Sequence, residues 1–377
     1  MPLATAKIVL IDTSTLGAVA RDYWSADESA RRKARRFVAD LTDRGIFIAF
    51  SMTHVGELLR HDNERVVRRR LEFLSTLPLV AWLRPYDRNW FPGCTVDLFA
   101  REIEAFLHGS ALSWRELIGA VRPDLWETGN GSEIFIQSDE FWSQIRELCK
   151  EQQATEFYVS SVARTRVGGV GKLTMQESRK LPLRPREEWV EYGSRFAREV
   201  HRQLVTHGDA RLPAKEQVAM DFSLRTFTRI LDIDPATADP VQALIERAGV
   251  PAELVGPHTT VDELGELAIY VQQLRLIGDH LRPRRKLSPV DVPITALPAY
   301  VLERRLCARQ QRAEHVSGSD LGDGHMAALV LYADAVQVDK RTHHHLEQLQ
   351  REDRALGDLM SPFFKASDYS QIPALCC

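Results

Sequence analysis

The sequence predicts an α/β fold with a central parallel sheet, interrupted by a large, mainly α-helical insertion. Three observations predict it. Short β-branched apolar runs alternate with amphipathic helices over residues 1–107. Between residues 108 and 297, long helical periods dominate and strand signals are few. Strand–helix alternation then returns over residues 298–377. Alternation of this kind implies right-handed βαβ units around a parallel sheet.

The elements follow in order. Lys7-Ile8-Val9-Leu10-Ile11 is almost wholly apolar, as a strand buried on both faces must be. It ends on Asp12-Thr13-Ser14-Thr15-Leu16. Ala30, Ala34, Phe37, Val38 and Leu41 keep helical spacing through residues 26–43, and Gly45 closes that helix. Ile46–Phe50 is a second buried strand, with Ser51 as N-cap of a helix carrying Met52, Val55, Leu58 and Leu59 on one face. Leu79–Leu83 is a third strand, and Thr95–Leu107 a further helix. In the insertion, helices are predicted at Asp139–Lys150, Pro185–Thr206, Lys215–Leu231 and Val261–Ile277. Trp114, Trp126, Trp142 and Trp189 suggest a core of its own. Prolines at 283, 289, 293 and 298 mark the return to the first unit. A basic helix at Tyr300–Glu314 leads to Ser319-Asp320-Leu321-Gly322-Asp323, which opens a small-residue helix. The strand Val336-Gln337-Val338 ends on Asp339; a helix near Thr342–Leu356 and a last strand, Phe363–Ala366, complete the chain.

The composition is that of a globular chain, 44% hydrophobic and 27% charged, and no apolar run reaches the roughly 20 residues that span a bilayer. Lysine and arginine total 49 against 52 acids, a net charge of -3. Basic clusters at Arg31–Arg36, Arg65–Arg70 and Arg282–Lys286 nonetheless leave room for a polyanionic partner. Cys94, Cys149, Cys307, Cys376 and Cys377 are few and scattered, without metal-ligand spacing, which predicts free thiols in a reducing cytoplasm.

Chemistry is expected where strands end. Ligands of α/β sheets bind at the carboxyl edge. Asp12 and Asp339 end strands there, and Glu57, Asp320 and Asp323 sit on helices that open at the same edge. Asp334 begins its strand and belongs at the opposite edge, as a structural residue. Gathered carboxylates repel unless cations compensate them, and hard oxygen donors suit Mg²⁺ or Mn²⁺. Such ions acidify water and neutralise the leaving oxygen of a phosphodiester. His54 and His325 fall near this edge and could touch substrate, with ordinary packing or solvent contact the commoner account of each.

The order of these acids resembles the PIN-domain nucleases. The strand ending in Asp12-Thr13-Ser14-Thr15-Leu16, Ser51 followed by Glu57, Asp323 opening an Ala-rich helix, and Asp339 ending the next strand match that family's pattern in turn. Gln337 stands where the family usually has Thr. The resemblance implies a PIN-like three-layer fold and a metal-dependent ribonuclease. Asp12, Glu57, Asp323 and Asp339 would be catalytic. Asp12, Asp323 and Asp339 would bind Mg²⁺ or Mn²⁺, with Asp320 as auxiliary ligand. Ser14 would be an assisting hydroxyl, and Arg32, Arg36 and Arg69 would hold the phosphates of RNA. The resemblance leaves room for a protein partner, an antitoxin or a defence-system component, and for a homodimer, since dimers are usual among PIN relatives.

Two other classes compete. A PIN-like scaffold could bind nucleic acid or protein without cutting. Asp12-Thr13-Ser14-Thr15 also resembles the first phosphate loop of actin-like ATPases, although the later Gly-rich loops are missing. Gly168-Gly169-Val170-Gly171-Lys172 lacks the residues of a phosphate-binding loop and reads as a flexible basic loop. Arg309–His315 matches the loose Arg-to-His spacing of some helical ribonucleases, a pattern with a high background rate.

Overall fold

A computed structural model describes residues 6–86, 92–109, 112–135, 139–162, 170–180, 188–208, 211–231, 239–310 and 319–376. The first unit runs β1 (Lys7–Ile11), α1 (Thr13–Tyr23), α2 (Glu28–Asp43), β2 (Ile46–Phe50), α3 (Met52–Leu59), α4 (Glu64–Ser75), β3 (Val80–Leu83) and α5 (Thr95–His108). The middle of the chain forms α6 (Trp114–Leu125), β4 (Trp126–Gly129), α7 (Gly131–Phe135), α8 (Asp139–Val162), α9 (Met175–Ser178), α10 (Glu188–His207), α11 (Lys215–Leu231), α12 (Pro240–Ala248) and α13 (Val261–His280). The last part holds α14 (Pro298–Gln310), α15 (Ser319–Ala328), β5 (Ala335–Gln337), α16 (Lys340–Glu352) and β6 (Phe363–Phe364).

The fold is α/β, with one six-stranded sheet in the order β4-β3-β2-β1-β5-β6. Five strands are parallel, but β4 runs antiparallel to β3, pairing Leu83 with Trp126 and Val80 with Gly129. The expected parallel sheet is therefore a mixed one. β4 follows residue 108, so the sheet takes a strand from the stretch expected to be an insertion.

Side chains alternate across the strands, and each face buries its own core. Val9, Ile11, Ile48 and Phe50 pack with Leu16 and Val19 of α1, Phe37 of α2, Val55 of α3 and Phe73 of α4. Leu10, Ala49 and Ala81 face the other way, against Phe99 of α5, Tyr270 of α13, Tyr300 of α14 and Leu346 of α16. Gly45, at φ +65°, ends α2 in the left-handed region that only glycine adopts without strain. Its carbonyl then accepts the Lys7 N–H that starts β1.

The tryptophans differ from expectation. Trp126 packs in the α13–α14 core and Trp142 in the α1–α4 core, beside Phe135. Both faces of the sheet still offered apolar area to cover, so these rings went there. Smaller cores do form among the middle helices, one around Val241 and Leu264, another around Val200 and Leu204. The side chain of Trp189, the Gly168–Gly169 part of the glycine loop and most of Arg309–His315 lie outside the described residues. Gly171 is packed closely, with no room for a Cβ against the Asp262 carboxylate, so this end of the loop is seated on α13. Among the described residues, Cys94, Cys149, Cys307 and Cys376 form no disulfide with one another. Among the described residues, no helix is long and apolar enough to cross a membrane.

Candidate functional site

β1 and β5 are neighbours in parallel register, Ile11 beside Gln337, so both strands deliver their chain ends to one edge of the sheet. Gln337 is 4% exposed, and its Oε1 accepts the Asp12 N–H at 3.0 Å. Thus Gln337 holds the backbone of Asp12 from across the strand pair. Asp12 then caps α1: its carboxylate accepts the N–H of Ser14 at 3.1 Å and the Ser14 hydroxyl. Asp339 caps α16 in the same way, accepting the Thr342 N–H at 2.6 Å. Glu57 comes from α3, where its Oε2 accepts from the Thr13 hydroxyl, next to Asp12.

Asp12 and Asp339 line a cavity of about 20 Å³, room for one water or one ion, together with His54, Met326, Gln337 and Thr342. Burial raises the Asp12 pKa above the ordinary carboxylate value; the Ser14 hydrogen bond opposes this, and the negative charge of Asp339 adds to it. Asp12 therefore has its solvation reduced beside the charge of a second acid on the same cavity.

His54, for which packing was the commoner expectation, forms part of the cavity wall. It is 1% exposed, with its ring edge-on to Phe50. Its Nδ1 accepts the Ser51 N–H, and burial lowers its pKa to about 4. The neutral ring consequently carries its proton on Nε2. That nitrogen is buried without a partner among the described residues, as is the Thr342 hydroxyl. A signal was present in the sequence: His54 lies three residues after Ser51, where a capping-box partner reaches back.

The other expected residues divide. Asp320 and Asp323 lie on α15, whose Met326 reaches the cavity, but their side chains are outside the described residues. Ser14 is beside Asp12 as expected. Arg32 and Arg36 are exposed on α2, where Arg36 lies 3.7 Å from Asp40, and Arg69 is exposed on α4. None of the three lines the cavity. Asp334, at the opposite edge, accepts the Ile8 N–H at 2.8 Å and pairs with Arg122.

Among the described residues, no group of three or more His, Cys, Asp or Glu side chains could hold a metal ion. The fit to Mg²⁺ or Mn²⁺ rests on the facing Asp12 and Asp339. They are hard oxygen donors whose crowding a cation would relieve. No family model, curated protein or solved structure matches the chain.

Proposed function

We propose that this chain is a PIN-like, metal-dependent nuclease whose substrate is RNA. The observation that carries the reading is the approach of Asp12 and Asp339 at the carboxyl edge, beside the one-water cavity and the unpartnered Nε2–H of His54. Glu57, tied to Thr13, and the position of Asp323 one turn before Met326 on α15 add support.

In this reading Asp12 and Asp339 hold Mg²⁺ or Mn²⁺, with Asp323 as the third ligand. When bound, the ion acidifies water and stabilises a leaving alkoxide. Glu57 orients the attacking water. Thr13 fixes Glu57 through its hydroxyl, and Gln337 fixes Asp12 through its amide oxygen. The Nε2–H of His54 offers a neutral donor to an oxygen in the cavity. Exposed Arg32, Arg36 and Arg69 contribute phosphate attraction at a distance.

A scaffold without catalysis is the second reading. It is favoured by the capping bonds of Asp12 and Asp339, which give each acid a structural task. One experiment separates the two. Labelled single-stranded RNA, structured RNA and DNA are incubated with Mn²⁺, Mg²⁺ or EDTA, beside Asp12→Asn and Asp323→Asn. The nuclease reading expects metal-dependent cutting of RNA that both variants lose. Undiminished cutting in both would remove the acidic site from the mechanism.

A further inference from the structure

A second cavity lies one helix away from the acidic edge. It has a volume of about 360 Å³, within the range that holds small ligands. Thr53 of α3, Arg60 just after it, Phe99 of α5, Gln152 of α8, Gln273 of α13 and His325 of α15 line it. Two of its walls are shared with the acidic site. α3 turns His54 to the small cavity and Thr53 to the large one, which Arg60 at its C-terminal end also lines. α15 turns Met326 to the small cavity and His325 to the large one. A helix is only about 10 Å across, so one nucleic-acid strand can reach both.

The chemistry of the lining is specific. Phe99 forms an apolar floor, 3% exposed and held edge-on by Tyr300. Gln152 and Gln273 supply amides from the middle helices. The Oε1 of Gln273 is shut off from solvent and has no hydrogen-bond partner among the described residues. An unpaired buried acceptor is costly, and a turn of this amide toward a ligand in the cavity would relieve it. Arg60 brings a cation to one shared wall, and the His325 imidazole stands on the other with its Nδ1 3.2 Å from Glu303 Oε1. Cys94 and Cys149 also line it; burial, with Asp97 nearby, pushes the Cys94 thiol up to about 12, which makes it a poor nucleophile.

We propose that this cavity is a base pocket, taking one unstacked nucleobase of the single-stranded RNA whose backbone lies at the acidic edge. The proposal rests on the nuclease reading for its choice of ligand. An apolar floor, amide walls and a cationic side toward the scissile phosphate match a base with its attached backbone. Recognition of splayed bases by apolar contact and edge hydrogen bonds is the usual route to sequence preference in RNA. The middle helices α8 and α13 thereby select the position that is cut.

The test reads binding, in EDTA, so that no cleavage is needed. Fluorescent eight-nucleotide RNAs of each single base are titrated against the full chain by anisotropy, beside an abasic ribose-phosphate oligomer of equal length. Leu276→Trp plugs the mouth from a site that is 65% exposed, and Gln273→Leu removes the amide. The expected result is a preference for at least one base over the abasic oligomer of about tenfold, lost in both variants while their thermal midpoints stay at the wild-type value. Equal affinity for based and abasic oligomers, unchanged affinity in both variants, or no RNA binding by the wild type would each overturn the pocket. Base-dependent binding without any cleavage in Mn²⁺ would keep the pocket and remove the nuclease. Cleavage that Asp12→Asn abolishes and Leu276→Trp leaves unaltered in rate and site would do the reverse.

Discussion

The backbone N–H of Ser51 donates to Nδ1 of His54 at 3.1 Å, and that bond decides which ring nitrogen carries the proton. The ring is thereby a capping acceptor at one nitrogen and a buried donor at the other. The two tasks separate by substitution. His54→Asn keeps an acceptor near the Ser51 N–H and loses the donor at Nε2; His54→Leu loses both the acceptor and the donor. We expect both variants to cleave RNA about a hundredfold more slowly. His54→Asn should melt near the wild type and His54→Leu earlier. Cleavage at the wild-type rate by His54→Asn would contradict the donor role.

Metal binding should appear as stability. Asp12 is held in an unfavourable state by burial and by Asp339. In EDTA, Asp12→Asn should therefore unfold at higher denaturant than wild type, by roughly 1 kcal/mol. Mg²⁺ or Mn²⁺ at 100 times its dissociation constant should stabilise the wild type by about 2.7 kcal/mol and the variant by far less. Urea titrations with and without metal measure both effects. An equal response to metal in the two proteins would place the ion elsewhere.

The Thr13 hydroxyl is the only part of that side chain that the Glu57 contact needs. Thr13→Val keeps its shape and removes the donor, at a cost of about 1 kcal/mol. Thr13→Ser restores the hydroxyl. If Thr13 positions Glu57, cleavage falls about tenfold in Thr13→Val and recovers in Thr13→Ser, with KM little changed. A loss of equal size in both variants would point to packing instead.

Two buried groups tilt stability with pH in opposite directions. His54 has its pKa lowered from 6.5 to about 4 by burial. Below pH 6.5 the unfolded chain takes up a proton that the folded chain refuses, so stability falls as pH drops from there toward 4. Glu102 has its pKa raised from 4.5 to about 8, chiefly by burial, although it accepts from the Tyr332 hydroxyl and the Ala299 N–H. The fold keeps this proton while the unfolded chain has lost it. Its contribution is full below pH 4.5 and is lost as pH rises through 8. Between pH 5 and pH 8 the wild type should lose on the order of 3 kcal/mol relative to Glu102→Gln. Urea unfolding at the two pH values checks the sign, and parallel profiles would show that Glu102 holds no proton in the fold.

Much of the framework was legible in the chain. β1 and β2 lie where their apolar runs predict, and β3 starts one residue later than expected. Asp12 and Asp339 reach a common edge because neighbouring parallel strands must end on the same side. β4 was not legible, since Trp-Glu-Thr-Gly has no strand-like alternation of its own. The open edge of β3 made it a strand.

By itself, then, the sequence determined the α/β class, the order of most elements and the strand ends that carry Asp12 and Asp339. These depend on local periodicity, which neighbouring residues encode. Only the tertiary structure decided that Gln337 would hold Asp12, that Trp142 would join the core of the sheet, and that His54 would be buried with its free N–H beside the acids. Asp12 and Gln337 are 325 residues apart in sequence. No local pattern specifies such a pair; shape, burial and the need to satisfy buried polar groups do so once the layers close.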